Sequence, residues 1–383
     1  MNPTAIHMEY IFLIAAFNAI FFAVLLFQKI PKALHDRILI SWLIYSGLYT
    51  GIYGLTYNVL FTRYPLLSAA FVSLLLLHGP FLFLYISALV REKYRLNVKD
   101  LFHFIPFILF NIYLLAVSLF PEISRNIRLD HVETIHEPPF LFKFFLTITA
   151  LSGPVYFLFS IRLFKILDIN IFNNFSYSEN INLEWLRKLV YSFGSIWTLL
   201  MTVAAIHHVF HIFSWIFCTH GISLSLSVFI ILIGYYGLRQ REIFASDTRE
   251  DFVTDHKINK YSGSGLKEHD AKRYIKILES FMEKEKPYLD PEINLPRLAE
   301  RLSMPSHYLS QVINEHFGSN FFEFINRYRV EEIKRRIDDP AYKNLTILGI
   351  AFESGFNSKS AFNRVFKNTT GLTPSEYKRS LYG

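Results

Sequence analysis

The chain has 383 residues, 52% of them hydrophobic and 17% aromatic, and its mean hydropathy is positive although 19% of the residues are charged. Up to Leu238 it carries 15 Lys and Arg against 11 Asp and Glu, and from Arg239 onward 24 against 21 in only 145 residues. Long uncharged apolar runs followed by an ordinarily charged tail exclude a single soluble domain, a collagen-like chain and a disordered chain. The pattern implies a membrane domain joined to a soluble module. One cysteine, Cys218, excludes an intramolecular disulfide framework and a zinc site built from clustered cysteines.

A hydrocarbon core about 30 Å thick needs roughly 20 apolar residues in a helix, since the backbone must satisfy its own hydrogen bonds there. Seven stretches qualify, at 10–27, 38–60, 65–90, 101–120, 144–161, 189–211 and 217–238. The first is read as a retained span and not a secretory signal, because residues 1–9 hold no Lys or Arg and no small-residue cleavage pattern follows. Basic residues cluster in alternate connections: Lys29, Lys32 and Arg37 in the first, Arg91, Lys93, Arg95 and Lys99 in the third, Arg162, Lys165, Arg187 and Lys188 in the fifth. Because such residues stay on the cytoplasmic side, the N-terminus is expected outside and the C-terminus inside. No Asp, Glu, Lys or Arg falls within any of the seven stretches, which argues against an ion-coupled carrier.

Two features of the spans could serve a ligand. His78-Gly79-Pro80 and Ser152-Gly153-Pro154 lie in spans three and five at similar distances from the basic edges Arg91 and Arg162, a weak internal repeat that places two helix kinks at comparable depth. Kinking and close packing alone would also account for them. His207, His208, His211 and His220 gather near the ends of spans six and seven. His207 and His211 stand four apart, a spacing that suits two metal ligands, but no HExxH surrounds them and interfacial hydrogen bonding is the commoner use. Neither a metal nor another cofactor is expected.

Residues 241–268 form a polar, flexible join containing Tyr261-Ser262-Gly263-Ser264-Gly265, with neither phosphate-loop signature. An amphipathic stretch at 270–284 follows, its stripe of Ala271, Tyr274, Ile275, Leu278, Phe281 and Met282 suited to packing on the adjoining domain or to dimerisation.

Two segments then read as short helix, tight turn, short helix. In the first, Asn294 caps 295–302, Ser303, Met304 and Pro305 turn, and Ser306 caps a helix to about Glu315. In the second, Thr346 caps 347–354, Gly355 closes it, and Ser358 caps the next helix, whose Ala361, Phe362, Val365 and Phe366 point inward. Between them Asn320 and Glu323 start a helix that Asp338-Asp339-Pro340 ends. Seventeen residues make a rod of about 25 Å, which with the thickness of the packed units sets the two exposed helices roughly 34 Å apart, the repeat of the DNA major groove.

The motifs LPRLAERLSMPSHYLSQVINEHFG, FFEFINRYRVEEIKRRI and LTILGIAFESGFNSKSAFNRVFKNTTGLTPSEY give the stretch 295–377 its resemblance to the DNA-binding domain of AraC/XylS-family bacterial transcription regulators. The resemblance covers under a quarter of the chain. The layout as a whole resembles seven-span membrane proteins that end in such a domain. What this implies is an all-α protein: a seven-helix transmembrane bundle (1–240) as sensor, the join (241–268), and a two-unit helix-turn-helix domain (269–383). Family base-contact positions fall on His307, Ser310 and Gln311 in the first unit and on Lys359, Ser360, Asn363 and Arg364 in the second. Gln311 and Asn363 can pair with adenine and Arg364 with guanine, while Lys367, Arg327 and Arg329 suit phosphate contact or structure. The chain departs from the family at Ser303, usually Gly, at Ile313, usually Phe, and at Ile333, usually Ala, so the first turn and the local packing are expected to differ.

The expected function is a membrane-anchored one-component transcription regulator in the bacterial cytoplasmic membrane. Its partners would be double-stranded promoter DNA, the lipid bilayer and a small-molecule or envelope signal transmitted through 239–284, with RNA polymerase and a second copy of the chain as further candidates. Competing readings are a membrane enzyme or carrier with a regulatory C-terminal domain, which the lack of HExxH and GxSxG motifs disfavours, and a scaffold that uses the helix-turn-helix units for protein contacts. No enzymatic activity is expected.

Overall fold

A computed structural model of the chain describes residues 3–91, 94–127, 138–178, 181, 183–210, 215–239 and 268–382. Among these the protein is all-helical, and its β-type pairing is a single isolated bridge between Phe175 and Asn294. It divides into two compact units: Met1–Phe164 with Leu183–Ala245, and Lys165–Asn182 with Ser246–Gly383.

The first unit contains α1 (Pro3–Gln28), α2 (Leu34–Arg63), α3 (Pro65–Ser73), α4 (His78–Val90), α5 (Ile105–Ser118), α6 (Pro121–Ser124), most of α7 (Phe140–Asn174), α8 (Glu184–Phe210) and α9 (Trp215–Arg239). α1 packs along α2 and α9, and α9 also packs on α8. Among the described residues, six segments are long and apolar enough to cross a membrane: Glu9–Gln28, Leu34–Thr56, Pro65–Val90, Val98–Ser118, Phe140–Asn174 and His220–Arg239. The remaining expected stretch, 189–211, falls on α8, whose side chains from residue 204 on are outside the described residues. Phe17, Leu55 and Leu115 lie more than half exposed on the outer faces of their helices, an arrangement that water disfavours and hydrocarbon does not.

The two Gly-Pro steps behave differently. Pro80 is preceded by a short 3-10 turn, Leu74–Leu77, which takes up the clash of its ring with the carbonyl four residues earlier. Pro154 sits inside the unbroken α7, which runs well past the predicted end at 161 because Lys165 and Asp168 are polar without opposing helix. Of the four histidines, His220 makes a 2.7 Å hydrogen bond between Nδ1 and the Tyr53 hydroxyl. The side chains of His207 and His208, and all of His211, lie outside the described residues, and among those described there is no cluster of metal-ligating side chains.

The second unit contains α10 (Glu268–Lys284), α11 (Leu295–Arg301), α12 (Ser306–His316), α13 (Phe321–Asp338), α14 (Ile347–Glu353), α15 (Lys359–Thr370) and α16 (Pro374–Tyr382). It has two small cores. Leu278 and Met282 of α10 join Leu298, Leu309, Val312, Ile313 and the first turns of α13 in one, with Tyr274, Ile275 and Phe281 packed at its edge. The amphipathic stripe of α10 is therefore spent on the adjoining domain. Val330, Ile333 and Ile337, from the latter half of α13, join Ile350, Ala351, Phe356, Phe362 and Phe366 in the other. α13 is thus the shared wall of both cores, and truncating a residue such as Phe366, fully buried there, to Ala would cost about 3–5 kcal/mol. Ile313 and Ile333, two of the departures from the family, are both buried in these cores.

Candidate nucleic-acid interface

Each helix-turn-helix unit is built by local capping. Asn294 Oδ1 accepts from Arg297 N (2.9 Å), Thr346 Oγ1 from Gly349 N (3.0 Å) and Ser358 Oγ from Ala361 N (3.1 Å), satisfying amides that a helix start leaves without partners. Asn320 and Glu323 form the expected capping box at the start of α13. Ser306 differs from expectation: it is the first residue of α12, and Pro305, which has no polar side chain, holds the cap position.

The two turns are the same motif. After α11, Met304 N donates to Ala299 O (3.0 Å) across Ser303, and after α14, Phe356 N donates to Ala351 O (3.1 Å) across Gly355. This six-residue closure requires a left-handed residue just past the helix. Gly355 supplies it at φ 96° and Ser303 at φ 52°. The first turn therefore keeps its form with Ser in the glycine position, and the difference expected there is one of backbone strain and not of shape.

In the second unit, helical periodicity sorts α15 into two faces. Ala361, Phe362, Val365 and Phe366 are buried, and Lys359, Ser360, Asn363, Arg364 and Lys367 are exposed. Arg364 lies 6.0 Å from the Phe322 ring and 3.5 Å from Ser178 Oγ, so its guanidinium is loosely held.

The first unit is different. His307 is exposed, its ring 4.2 Å from that of Tyr308. Ser310 and Gln311, however, are 7% and 6% exposed, inside a run from Leu309 to Ile313 that is buried on every side of α12. Gln311 Nε2 donates to Glu315 Oε2 (3.1 Å), Ser310 Oγ accepts from Asn314 Nδ2 (3.3 Å), and Gln311 Oε1 has no hydrogen-bond partner among the described residues. Groove contact by Ser310 and Gln311 requires this face to open.

Of the three residues expected to meet phosphate or to serve structure, Arg327 and Lys367 are exposed and Arg329 is buried. Its guanidinium donates to the carbonyls of Tyr288 (2.8 Å), Asp290 (2.8 Å) and Ser176 (3.1 Å), to Asn326 Oδ1 (3.2 Å) and to Ser176 Oγ (3.0 Å). Ser176 in turn donates its amide and hydroxyl to Ile293 O, and its carbonyl also accepts from Asn326 Nδ2 (3.1 Å). Phe172 meets Phe322 edge-on at 5.2 Å. The segment that follows α7 is thereby built into the helix-turn-helix domain. In the sequence it is a bare connection, and nothing in Phe175-Ser176-Tyr177-Ser178 marks it as more.

Next to Arg329, Glu332 is 5% exposed and bound by Arg336 Nε (2.8 Å) and Arg335 Nη2 (2.7 Å), with Lys286 Nζ at 3.5 Å. Burial alone would raise its carboxyl, but the hydrogen bonds from Arg336 and Arg335 and the charge of Lys286 outweigh that and hold it below the usual carboxylate range. Tyr288, buried beside this carboxylate, is pushed up to about 12.

Residues 298–380 match the family described as "Helix-turn-helix domain". The C-terminal domain is an AraC-type helix-turn-helix domain. An uncharacterized HTH-type transcriptional regulator of Staphylococcus aureus (strain COL) is 34% identical to the chain over 87 residues, 23% of this chain and 11% of that protein. The HTH-type transcriptional activator RhaS of Mannheimia succiniciproducens is 28% identical over 126 residues, 33% of this chain and 43% of RhaS. The chain therefore spans about a tenth of the staphylococcal relative's length and under half of RhaS. No solved structure matches it. Within the AraC-type domain, the exposed face of α15 and His307 of α12 are the open members of the expected base-contact set.

Proposed function

We propose that the chain is a membrane-anchored transcription regulator that binds promoter DNA in a sequence-specific way through the two helix-turn-helix units. One observation carries this reading: α15 of an AraC-type domain presents Lys359, Ser360, Asn363 and Arg364 on one open face above a packed Phe362 and Phe366. That face combines an amide that matches adenine, a guanidinium that matches guanine and cations that match phosphate. α13, with 18 residues, separates the units by a rod of about 27 Å, which suits successive major grooves.

The apolar helices anchor the protein in the bacterial cytoplasmic membrane and sense a small-molecule or envelope signal. Two chain segments lead from them to the AraC-type domain. One is 240–267. The other is the end of α7 with Ser176, and its hydrogen bonds to Arg329 and Asn326 support it as a route by which a change among the spans biases the DNA-binding domain. RNA polymerase is the partner expected at the promoter.

Chromatin immunoprecipitation of the full-length chain, with membrane fractionation in parallel, tests this. A few sharp promoter peaks lost in Arg364→Ala, from a protein that sediments with membranes, are expected. Uniform background at all loci would reject DNA binding, and recovery of the intact chain in the soluble fraction would reject anchoring.

A further inference from the structure

Residues 172–178 run along the second unit as a strap. Phe172, near the end of α7, meets Phe322 edge-on, and Phe175 pairs with Asn294, the residue that caps α11. The Ser176 amide and hydroxyl both donate to Ile293 O (3.3 and 2.8 Å), and its carbonyl accepts from Asn326 and Arg329 of α13. Ser178 Oγ then lies 3.5 Å from Arg364 Nη2 on α15. The strap thus touches the start of the first helix-turn-helix unit, the helix between the units and the recognition helix of the second.

Its path crosses the side of the domain that reads DNA. Phe322, Asn326 and Arg329 share one face of α13, at helical spacing. The Arg364 guanidinium sits 6.0 Å from the Phe322 ring of that face, so the base-reading side of α15 and this face of α13 adjoin. A duplex that takes one recognition helix in each of two successive major grooves has to pass across the helix that separates them. On the side that Arg364 marks, that passage is occupied by the backbone of the strap. The polar side chains of α15 stay open to solvent, but the space beside them is filled. A guanidinium that pairs with guanine through two nitrogens needs the base edge at hydrogen-bond distance, next to where Ser178 stands. In the same conformation Ser310 and Gln311 of the first unit are buried.

We propose that residues 172–178 are an autoinhibitory strap: docked, they keep a duplex from seating across α13 and Arg364, and DNA binding requires them to leave. The domain is built to survive their departure. Neither of its two cores contains a strap residue. When Ser176 leaves, Arg329 keeps the carbonyls of Tyr288 and Asp290 and the side chain of Asn326 as acceptors, and water can reach the positions that Ser176 vacates. The 3.5 Å contact to Arg364 is the weakest of the set, so the guanidinium is released at little cost. Strap and DNA are then linked in both directions: whatever loosens the strap raises the affinity for DNA, and DNA loosens the strap by the same factor. α7 runs unbroken from its apolar part into Phe172, which gives the proposed signal a handle on the strap. The inference rests on the proposed DNA binding and gives its control a direction.

The experiment uses the unaltered full-length protein in lipid nanodiscs and a fluorescent mixed-sequence duplex of about 40 base pairs, at about 50 mM salt, where non-specific binding is strong. Anisotropy reports binding, and hydrogen exchange is followed in the same samples. With duplex bound, exchange is expected to slow in α15 and to quicken in peptides that contain Ser176, whose amide donates to Ile293 O in the docked state. Slower or unchanged exchange at Ser176 with α15 protected would overturn the strap and leave DNA binding standing. No anisotropy change would overturn DNA binding and the strap with it. Phe172→Ala, which removes the ring contact with Phe322, should bind the duplex about three- to tenfold more tightly, since it raises the fraction of chains that are competent to bind. Equal or weaker binding by that variant would also overturn the strap, and the exchange measurement decides the matter if the variant fails to fold.

Discussion

Arg329 Nη1 donates to the carbonyl of Ser176 at 3.1 Å while its Nη2 donates to the hydroxyl of the same residue at 3.0 Å. One guanidinium thus holds two oxygens of a segment more than 150 residues away in sequence, a fork geometry an ammonium cannot copy. Arg329→Lys is expected to lose at least two of these bonds and to destabilise the C-terminal domain by about 2–4 kcal/mol, since buried carbonyls are left unpaired. Ser176→Ala should cost less, about 1–2 kcal/mol. Hydrogen exchange on the full-length protein checks both: faster exchange in α13 and around Ile293 is expected, and unchanged protection would show that the segment is not docked.

Gly355 packs against the same arginine. A Cβ there would lie 2.8 Å from Arg329 Nε and still closer to the Tyr288 carbonyl, on a backbone at φ 96°. Gly355→Ala therefore combines left-handed strain with a clash against backbone. A loss of more than about 2 kcal/mol is expected, read as a lower denaturant midpoint in pulse proteolysis of the full chain.

Ser303 predicts the opposite sign. It occupies the first unit's copy of the Gly355 position at φ 52°, and its side chain is exposed. Ser303→Gly should remove left-handed strain without opening a cavity, stabilising the domain by about 0.5–1 kcal/mol after the greater chain entropy of glycine is counted. A midpoint that falls instead would mean that the serine is not strained.

What the sequence made legible is what depends on near neighbours. Asn294, Thr346 and Ser358 cap helices because the amides they satisfy lie three residues on, and Leu298, Phe362 and Phe366 are buried because their spacing follows the helical period. Hydropathy counting located the apolar helices but ended α7 near 161, because it detects lipid-compatible residues and not helix as such. Ser176 and the burial of Ser310 and Gln311 were not legible. Both depend on which surfaces meet after folding, and the polar side chains involved carry no periodic signature.

Glu332 makes part of the domain's stability depend on pH. Its carboxyl is held below the ordinary value by Arg336, Arg335 and Lys286 against the opposing effect of burial. A depressed folded-state pKa contributes stability that is complete above the unfolded value, near 4.5, and is lost as pH falls through the lower folded value. Glu332→Gln should therefore destabilise the domain by about 2 kcal/mol at pH 7, less than for a fully enclosed pair because Arg335 is exposed. The gap between parent and variant should hold down to about pH 5 and narrow below about pH 4. Denaturation midpoints across pH 3–7 check this, and a constant gap would place the effect outside the titration of Glu332.

Arg364 separates DNA reading from folding. It is exposed, and its nearest partners are Ser178 Oγ at 3.5 Å and the Phe322 ring at 6.0 Å. Arg364→Ala should therefore leave the melting behaviour within about 0.5 kcal/mol of the parent. If Arg364 pairs with guanine through both nitrogens, the same change should cost about 1–3 kcal/mol of affinity for a target recovered by chromatin immunoprecipitation and much less for a scrambled duplex. Lys367→Ala is the contrast: a phosphate contact carries no sequence, so its loss should weaken both duplexes alike and lower the salt dependence by about one counterion. Fluorescence anisotropy at two or more salt concentrations distinguishes the cases. Equal losses on target and scrambled DNA for Arg364→Ala would assign that residue to the backbone and leave Asn363, one position earlier on the same open face, to specify the base.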